Sequence, residues 1–285
     1  MIKMTWRELL KKGENELRKA GIEDYGFDAF QLLLHISGFS NDTFYLNDNL
    51  PSDEMSVIRY DDAINRRKAK EPLQYIIGKW DFFDSEFLVG EGVLIPRPET
   101  EELVGYVIDI IKNNNIKVVY DLCAGSGCIG LSIAKALPSV KCYLFEYYDE
   151  AFRYSVLNKQ RLNIENAEVI RLDVLNGPSS DLPKADIIVS NPPYIESDEI
   201  LTLQEEVLKE PVTALDGGKD GLVFYRSIFE KWVDKLSEDG FIAFECGEGQ
   251  ADEISEIFSE CFQSRTVYDV YGADRFVICR KILTE

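Results

Sequence analysis

The sequence is poor in histidine, in paired cysteines and in positive charge. It has one histidine, His35, and six cysteines without a CxxC pair. This pattern disfavours a structural zinc site and Ser-His or Cys-His nucleophilic chemistry, and we expect no metal. No apolar run reaches membrane-spanning length and the N-terminus lacks an apolar signal core, which predicts a cytoplasmic protein with no membrane partner.

The shortage of positive charge bears on partners. Acidic residues outnumber basic ones by 51 to 31, giving a net charge of −20. Such a surface repels nucleic-acid phosphate, so direct nucleic-acid binding is not expected. The best candidate for a basic patch is the run Arg66-Arg67-Lys68-Ala69-Lys70, for which a solvated helix end is the favoured interpretation.

With 285 residues the chain is long for one compact core, and its patterning predicts two domains and a linker. Residues 1–72 have helical periodicity and a Thr5–Glu8 capping box, which predict a helical bundle that stabilises the protein or docks a macromolecular substrate. Residues 73–95 predict a β-hairpin linker. Residues 96–285 alternate between strand and helix periods, which predicts an α/β domain with a mostly parallel sheet, covered on both faces and ending in an antiparallel hairpin.

Seven strands and five helices are predicted in this last region. The strand candidates are 117–122, 140–146, 167–172, 185–190, 241–246, 264–270 and 276–281. The helix candidates are 100–112, 128–137, 150–160, 221–237 and 250–262.

A glycine-rich turn follows the first of these strands. The stretch Cys-Ala-Gly-Ser-Gly-Cys-Ile-Gly at 123–130 lies between a strand and a helix, where backbone amides can hold a ligand. Its spacing fits a dinucleotide loop and also an S-adenosylmethionine loop, and Glu146 could accept ribose hydroxyls in either case. Asp121 either holds the ligand's ammonium group or braces the loop. A tight turn without a ligand is disfavoured by the three spaced glycines.

The tetrapeptide Asn191-Pro192-Pro193-Tyr194 decides between the two cofactors. It follows a buried strand, and because two prolines cannot donate ladder hydrogen bonds, the chain must leave the sheet where α/β proteins bind ligands. The Asn191 side-chain oxygen and the Pro192 carbonyl can accept the two N–H hydrogens of a planar amide or amine, while Tyr194 stacks on it. Methyl transfer to such a nitrogen needs these acceptors and this ring, whereas hydride transfer does not. The alternative interpretation is a Pro-Pro turn that merely ends the strand.

Further segments match one known family over nearly the whole chain. They are Glu71-Pro72-Leu73-Gln74-Tyr75-Ile76-Ile77-Gly78, Leu94-Ile95-Pro96-Arg97-Pro98-Glu99-Thr100-Glu101, Glu210-Pro211, Ala214-Leu215, Gly217-Gly218, Asp220-Gly221-Leu222, Tyr225-Arg226 and Asp269-x3-Ala273-Asp274-Arg275. Together with Asn191-Pro192-Pro193-Tyr194, they make the chain resemble the HemK/PrmC family of protein-glutamine methyltransferases.

This resemblance implies a Rossmann-like, S-adenosylmethionine-dependent methyltransferase fold and a specific reaction. The methyl group would go to the side-chain amide nitrogen of the glutamine in the Gly-Gly-Gln motif of class-1 peptide chain release factors, leaving S-adenosylhomocysteine. Residues 1–72 would help to hold the factor. The cofactor-binding residues implied are Asp121, Cys123, Ala124, Gly125, Ser126, Gly127, Glu146, Asp173, Val174 and Asn191. The substrate-binding residues implied are Arg97, Glu99, Thr100, Asn191, Pro192, Pro193 and Tyr194, of which the last four are also catalytic.

Three features depart from the family pattern. Cys123 and Ala124 stand where glycine or another small residue is commoner, Glu146 is longer than the usual Asp, and Val174 replaces a large aromatic of some relatives. Other acceptors stay open: a ribosomal-protein glutamine, or a nucleic-acid adenine amine, which would have to be flipped out or unpaired. The net charge weighs against nucleic acid. The intact Asn-Pro-Pro-Tyr weighs against a cofactor-binding module without activity.

Overall fold

The computed structural model describes residues 4–282, which form two compact units. Unit 1 comprises the chain up to Lys79 together with Gln204–Lys209. Unit 2 comprises Trp80–Leu203 and the chain from Glu210 onward. Among the described residues, no helix is both long and apolar enough to cross a membrane.

Unit 1 is a helical bundle. Its helices are α1 (Trp6–Lys19), α2 (Tyr25–Ser37), α3 (Asn41–Asn47), α4 (Glu54–Lys68) and α5 (Leu73–Ile77). The predicted capping box is present: the Thr5 hydroxyl accepts a hydrogen bond from the Glu8 amide, and the Glu8 carboxylate accepts one from the Thr5 amide. Leu9 and Leu17 of α1 pack with Tyr60 of α4 in the core, where all three are fully buried.

The basic run at the end of α4 is not a solvated helix end, and that interpretation was wrong. Arg67 is buried and donates hydrogen bonds to Asp28 at 2.6 Å and to Glu206 at 2.7 Å. Lys68 pairs with a glutamate of α1, and Arg66 pairs with Glu71. Acidic partners inside unit 1 therefore take up these positive charges. The two partners of Arg67 lie 39 and 139 positions away in the chain, so local periodicity could not identify them.

A short hairpin follows unit 1's last helix. It consists of β1 (Lys79–Phe82) and β2 (Ser85–Leu88) and fills only part of the segment 73–95 predicted for it. Leu73–Ile77 form α5 instead. Pro72 occupies the N-cap of α5 and Gly78, at a φ of 79°, ends it in the left-handed conformation, so the two residues bound a single helical turn.

Unit 2 contains a seven-stranded sheet. Its strands are β3 (Val118–Leu122), β4 (Lys141–Glu146), β5 (Ala167–Arg171), β6 (Ala185–Ser190), β7 (Leu236–Glu245), β8 (Phe262–Tyr268) and β9 (Asp274–Lys281). Their order across the sheet is β5-β4-β3-β6-β7-β9-β8. The strands from β5 to β7 pair in parallel, whereas β9 runs antiparallel to both of its neighbours. The predicted mostly parallel sheet with an antiparallel last strand is confirmed.

Helices cover both faces of this sheet, as predicted. They are α6 (Pro98–Asn114), α7 (Cys128–Ala136), α8 (Asp149–Arg161), α9 (Val223–Trp232) and α10 (Ala251–Phe258). Side chains alternate between the two faces with the strand period of two. Val119 of β3 joins the core formed with α6 and α7, while its neighbour Tyr120 joins the core formed with α9 and α10. Four of the six cysteines are buried, and Cys123 and Cys261 are partly exposed.

Gly13 of α1 gives a test of the packing in unit 1. A Cβ at this position would lie 2.1 Å from the hydroxyl oxygen of Tyr60, which donates a buried hydrogen bond to the Ala29 carbonyl at 3.0 Å. We therefore expect Gly13→Ala to lower the free energy of unfolding by about 1–3 kcal/mol, the usual cost of overpacking, although alanine is the better helix former. Urea denaturation followed by circular dichroism measures the change.

Gly26→Ala in α2 is the matched control. Apart from its chain neighbours and the backbone of its own helix, no atom of the described residues lies within 4 Å of a Cβ added there, so this variant should be neutral or slightly stabilised. Equal midpoints for the two variants would contradict the contact at Gly13.

Candidate active site

The register of two central strands brings the predicted loops together. Leu122 at the end of β3 pairs with Ser190 at the end of β6. The Ser190 hydroxyl also donates a hydrogen bond to the Leu122 carbonyl at 2.6 Å. Cys123 follows β3 and begins the glycine-rich turn at 123–130, called the glycine loop below. Asn191 follows β6 and begins the Asn-Pro-Pro-Tyr tetrapeptide, so the two segments start side by side.

The glycine loop turns sharply and packs closely. Cys123, Gly125 and Gly127 all have positive φ, at 60°, 57° and 80°. A Cβ on Gly127 would lie 2.6 Å from the Ser155 hydroxyl oxygen, so a side chain has no room there. Gly125 faces open space within the described structure, and its missing side chain leaves that part of the cavity free. At its positive φ, Cys123 adopts a backbone conformation that glycine takes without strain.

Asp121 is fully buried beneath the loop. Its Oδ2 accepts the backbone amide of Gly130 at 2.8 Å, while its Oδ1 has no hydrogen-bond partner among residues 4–282. Burial raises the pKa of Asp121 to about 7, and the hydrogen bond from Gly130 opposes the rise. Of the two roles considered for Asp121, these contacts fit a brace for the loop.

Glu146 ties the loop to the end of β4. Its Oε2 accepts the Gly125 amide at 2.8 Å, and its Oε1 accepts the amides of Tyr147 at 2.7 Å and Tyr148 at 2.9 Å. Burial raises the pKa of Glu146, and the three amides act against that rise. A carboxylate has about four acceptor positions, so capacity remains for a ligand hydroxyl.

One cavity joins the glycine loop to the tetrapeptide. The predicted site residues that line it are Arg97, Thr100, Cys123, Ala124, Gly125, Ser126, Glu146, Asp173, Val174, Asn191 and Pro193. The predicted residues Glu99, Asp121, Gly127, Pro192 and Tyr194 are not part of its lining. Asp173 caps the short 3-10 turn Val174–Asn176 by accepting the Leu175 amide at 2.9 Å, which fixes this wall of the cavity.

Two tyrosines of the cavity wall were missed by the sequence reasoning. Tyr147 and Tyr148 follow Glu146 directly, line the cavity and are 48% and 43% exposed. Their rings pack edge to face with centroids 5.3 Å apart, and their exposed surface is available for stacking on a ligand. Their position directly after Glu146, at the end of β4, could have indicated that they border the ligand cavity.

The tetrapeptide presents free acceptors. Asn191 donates a hydrogen bond from Nδ2 to the Thr100 hydroxyl oxygen at 3.2 Å. Within residues 4–282, neither the Asn191 Oδ1 nor the Pro192 carbonyl accepts a hydrogen bond. Burial raises the pKa of Tyr194 to about 12, so its hydroxyl is neutral at physiological pH.

The backbone of the tetrapeptide is held from behind. The Tyr194 carbonyl accepts a hydrogen bond from the Gln250 side chain at 2.9 Å. A Cβ on Gly217 would lie 2.7 Å from the Tyr194 Cα and 2.8 Å from the Pro193 carbonyl oxygen, so only glycine fits against this turn. The matching Gly217-Gly218 motif therefore has a packing role.

Glu210 holds the cavity segment around Arg97. This carboxylate is buried, accepts the Ile95 amide at 3.0 Å and pairs with the Arg97 guanidinium. The sequence reasoning noted Glu210-Pro211 only as a matching motif. Its partners lie 115 and 113 positions away along the chain, so the contact could not be read locally.

Comparison with known proteins agrees with this geometry. The family model described as "PrmC N-terminal domain" matches residues 8–78, and that described as "Methyltransferase small domain" matches residues 105–232. The hMettl16 catalytic domain, solved in complex with the MAT2A 3'UTR hairpin 6, has the same fold, with a TM-score of 0.58 at 14% identity over 82% of this chain and 83% of that chain. The fold is that of an S-adenosylmethionine-dependent methyltransferase.

Sequence relatives narrow this class. A "Release factor glutamine methyltransferase" from Clostridium acetobutylicum is 41% identical, covering 96% of this chain and 98% of the relative. Proteins of the same name from Clostridium botulinum and Bacillus subtilis are 38% and 33% identical, covering 98% and 96% of this chain and 100% and 97% of the relatives. The chain belongs to the release factor glutamine methyltransferase family, which confirms the resemblance.

The residues of the cavity fit the cofactor of this class. The Ser126 hydroxyl is buried in the cavity wall without a hydrogen-bond partner among the described residues. Glu146 retains acceptor capacity for ribose, and the loop at Gly125 leaves open space. A buried polar group without a partner carries a desolvation cost that a ligand removes. Ser126 and Glu146 would hold S-adenosylmethionine, which supplies an activated methyl group.

Cys123 provides a test of the site's electrostatics. Burial raises the pKa of its thiol well above the usual range, and the Glu146 carboxylate adds to the rise. A helix N-terminus favours thiolate, but here burial and the acid dominate. The folded protein should therefore contain less Cys123 thiolate at pH 8 than the unfolded chain.

We expect iodoacetamide to alkylate Cys123 at pH 8 at least about tenfold more slowly in the folded protein than in urea. Peptide mass spectrometry measures both rates on the same residue. Equal rates would mean that the thiol is exposed and activated, against the site described.

Proposed function

We propose that this protein transfers the methyl group of S-adenosylmethionine to the side-chain amide nitrogen of the glutamine in the Gly-Gly-Gln motif of class-1 peptide chain release factors. One observation carries the proposal: the Asn191 Oδ1 and the Pro192 carbonyl accept no hydrogen bond within residues 4–282, and Asn191 lines the same cavity as the glycine loop. Two acceptors are the complement of a carboxamide –NH2 group. The relatives are named for the same class of acceptor.

The residues act by positioning and by electrostatics. An amide nitrogen is a poor nucleophile because its lone pair is delocalised over the carbonyl. When Asn191 and Pro192 accept its two N–H hydrogens, they orient the nitrogen and stabilise the positive charge that develops as the N–CH3 bond forms and the S–CH3 bond breaks. The methylated nitrogen then releases one of its two protons to solvent. Tyr194 packs against the apolar core and does not line the cavity, so the stacking role expected for its ring stays a prediction. The pocket walls from Cys123 to Ser126 and at Asp173-Val174 bind the cofactor.

The proposal extends to partners and location. Unit 1 helps to hold the release factor. Arg66, Arg67 and Lys68 of its basic run are already paired with acidic side chains, which is consistent with no direct nucleic-acid binding. The protein acts in the cytoplasm, where release factors work. A metal is not needed, because the sulfonium already carries its leaving group.

A transfer assay tests the proposed reaction. The protein is incubated with methyl-labelled S-adenosylmethionine and a class-1 release factor, the same factor with its motif glutamine replaced by alanine, ribosomal protein, or nucleic acid. We expect label in the intact factor alone. Label in the alanine factor, or only in ribosomal protein or nucleic acid, would refute the proposed acceptor.

Two substitutions should separate catalysis from cofactor binding. Asn191→Ala removes a preorganised acceptor and should lower kcat by roughly 100-fold, corresponding to about 3 kcal/mol. Its Kd for S-adenosylmethionine should change by less than about threefold, because that contact serves the transition state. Steady-state kinetics and calorimetry measure the two quantities.

Glu146→Gln should show the opposite pattern. The –NH2 group of the new glutamine cannot accept the hydrogen bonds that the Glu146 carboxylate accepts from backbone amides. Each lost charge-assisted hydrogen bond is worth about 1.5–3 kcal/mol. We expect the Kd for S-adenosylmethionine to rise by about tenfold or more, with kcat at saturation less affected. A normal kcat for Asn191→Ala, or a normal Kd for Glu146→Gln, would reject the role assigned to that residue.

A further inference from the structure

Three side chains from different elements of unit 2 form a hydrogen-bonded row. Glu245 ends β7, Thr100 lies in the first turn of α6 and Asn191 follows β6. The Thr100 hydroxyl donates to Glu245 Oε2 at 2.6 Å, and Asn191 Nδ2 donates to the Thr100 oxygen at 3.2 Å. Glu245 and Thr100 are 1% and 2% exposed, so water cannot replace these partners.

The chemistry of the row fixes its direction. An ionised carboxylate only accepts hydrogen bonds, so Glu245 takes the single hydroxyl proton of Thr100. The Thr100 oxygen is then left as an acceptor and can pair only with the –NH2 end of the Asn191 amide. This turns the Asn191 Oδ1 away from Thr100 and leaves it without a partner in the described structure.

The direction matters because the two ends of a carboxamide are nearly identical in shape. With its –NH2 end turned to the substrate, Asn191 would present donors to the N–H donors of the incoming glutamine. We propose that Glu245 and Thr100 are positioning residues that set the carboxamide orientation of Asn191, so that its oxygen meets the acceptor nitrogen. This inference rests on the proposed function, since it assigns a purpose to that orientation.

The charge state of Glu245 should make the hydrogen bonds of the row, and with them kcat, depend on pH. Burial raises the pKa of Glu245 to about 7, while the Thr100 hydrogen bond and Arg275 oppose the rise. Below this pH the carboxyl is protonated and can itself donate to Thr100. The freed Thr100 proton can then bond the Asn191 oxygen, which favours the reversed amide, so kcat should fall as pH drops through about 7.

The other groups around Glu245 come from several elements. The titratable and charged ones are Arg97 and Glu99 at the start of α6, Cys128 of α7, Tyr194, Tyr225 of α9, the adjacent Cys246 and Arg275 of β9. The two arginines favour the ionised form of Glu245, and Glu99 disfavours it.

Thr100→Val tests the row with little change in shape, and Thr100→Ser is the matched control that keeps the hydroxyl. We expect kcat for release-factor methylation to fall about tenfold in Thr100→Val and to stay within about twofold of wild type in Thr100→Ser. The Kd for S-adenosylmethionine should stay within about threefold in both. Equal kcat values for the two variants would overturn the proposal.

Double substitution separates a positioning role from a structural one. Because Thr100 acts through Asn191, adding Thr100→Val to Asn191→Ala should lower kcat no further than Asn191→Ala alone. A full additional tenfold loss would show that Thr100 acts independently, which contradicts the proposal. Glu245→Gln should flatten the acid side of the kcat–pH profile, and an unchanged acid side would overturn the part assigned to Glu245.

A measurement without substrate keeps this inference distinct from the proposed function. The side-chain –NH2 signals of Asn191 in a 1H–15N spectrum, assigned by their loss in Asn191→Ala, should show one exchange-protected proton in wild type and Thr100→Ser. Thr100→Val should lose that protection, and retained protection would overturn the row. If wild type methylates no release factor, the proposed acceptor fails while this spectrum still reports on the row.

Discussion

The pairing of Leu122 with Ser190 is the constraint on which the site depends. Parallel strands present their carboxyl ends at the same edge, and this register makes β3 and β6 end at the same level. The glycine loop begins one residue after the first strand and the Asn-Pro-Pro-Tyr turn one residue after the second. A hydrogen bond from the Ser190 hydroxyl to the Leu122 carbonyl links the ends of the two strands. A shift of register would separate the glycine loop from the Asn-Pro-Pro-Tyr turn.

Buried carboxylates stabilise the loops that leave this edge. Asp121 and Glu146 hold the glycine loop through backbone amides, Glu210 holds the Ile95–Arg97 segment, and Glu245 receives the Thr100 hydroxyl. Each is 6% exposed or less, so each carries a desolvation cost that its hydrogen bonds offset. Such charges tolerate few other geometries. They make the loops rigid before any ligand arrives, which is what a catalyst that works by positioning requires.

Sequence reasoning recovered what depends on local pattern. All seven strands of the sheet overlap the ranges predicted for them, and the glycine loop and the tetrapeptide follow β3 and β6 as expected. The predicted helix 221–237 was too long: α9 ends at Trp232, and β7 begins at Leu236 rather than at 241. Contacts between distant segments were not predictable. The acidic partners of Arg67 and the link from Thr100 to Glu245 join residues up to 145 positions apart, so no local period encodes them. Helix α5 was missed because a five-residue helix has too few positions to show a period.

The most direct test of the account is a crystal structure of the protein with S-adenosylhomocysteine and a glutamine-bearing release-factor peptide. We expect the glutamine nitrogen at about 2.9 Å from both the Asn191 Oδ1 and the Pro192 carbonyl oxygen, with its free face toward the cofactor sulfur. A glutamine bound elsewhere, or a tetrapeptide whose two acceptors point away from the cofactor cavity, would contradict it.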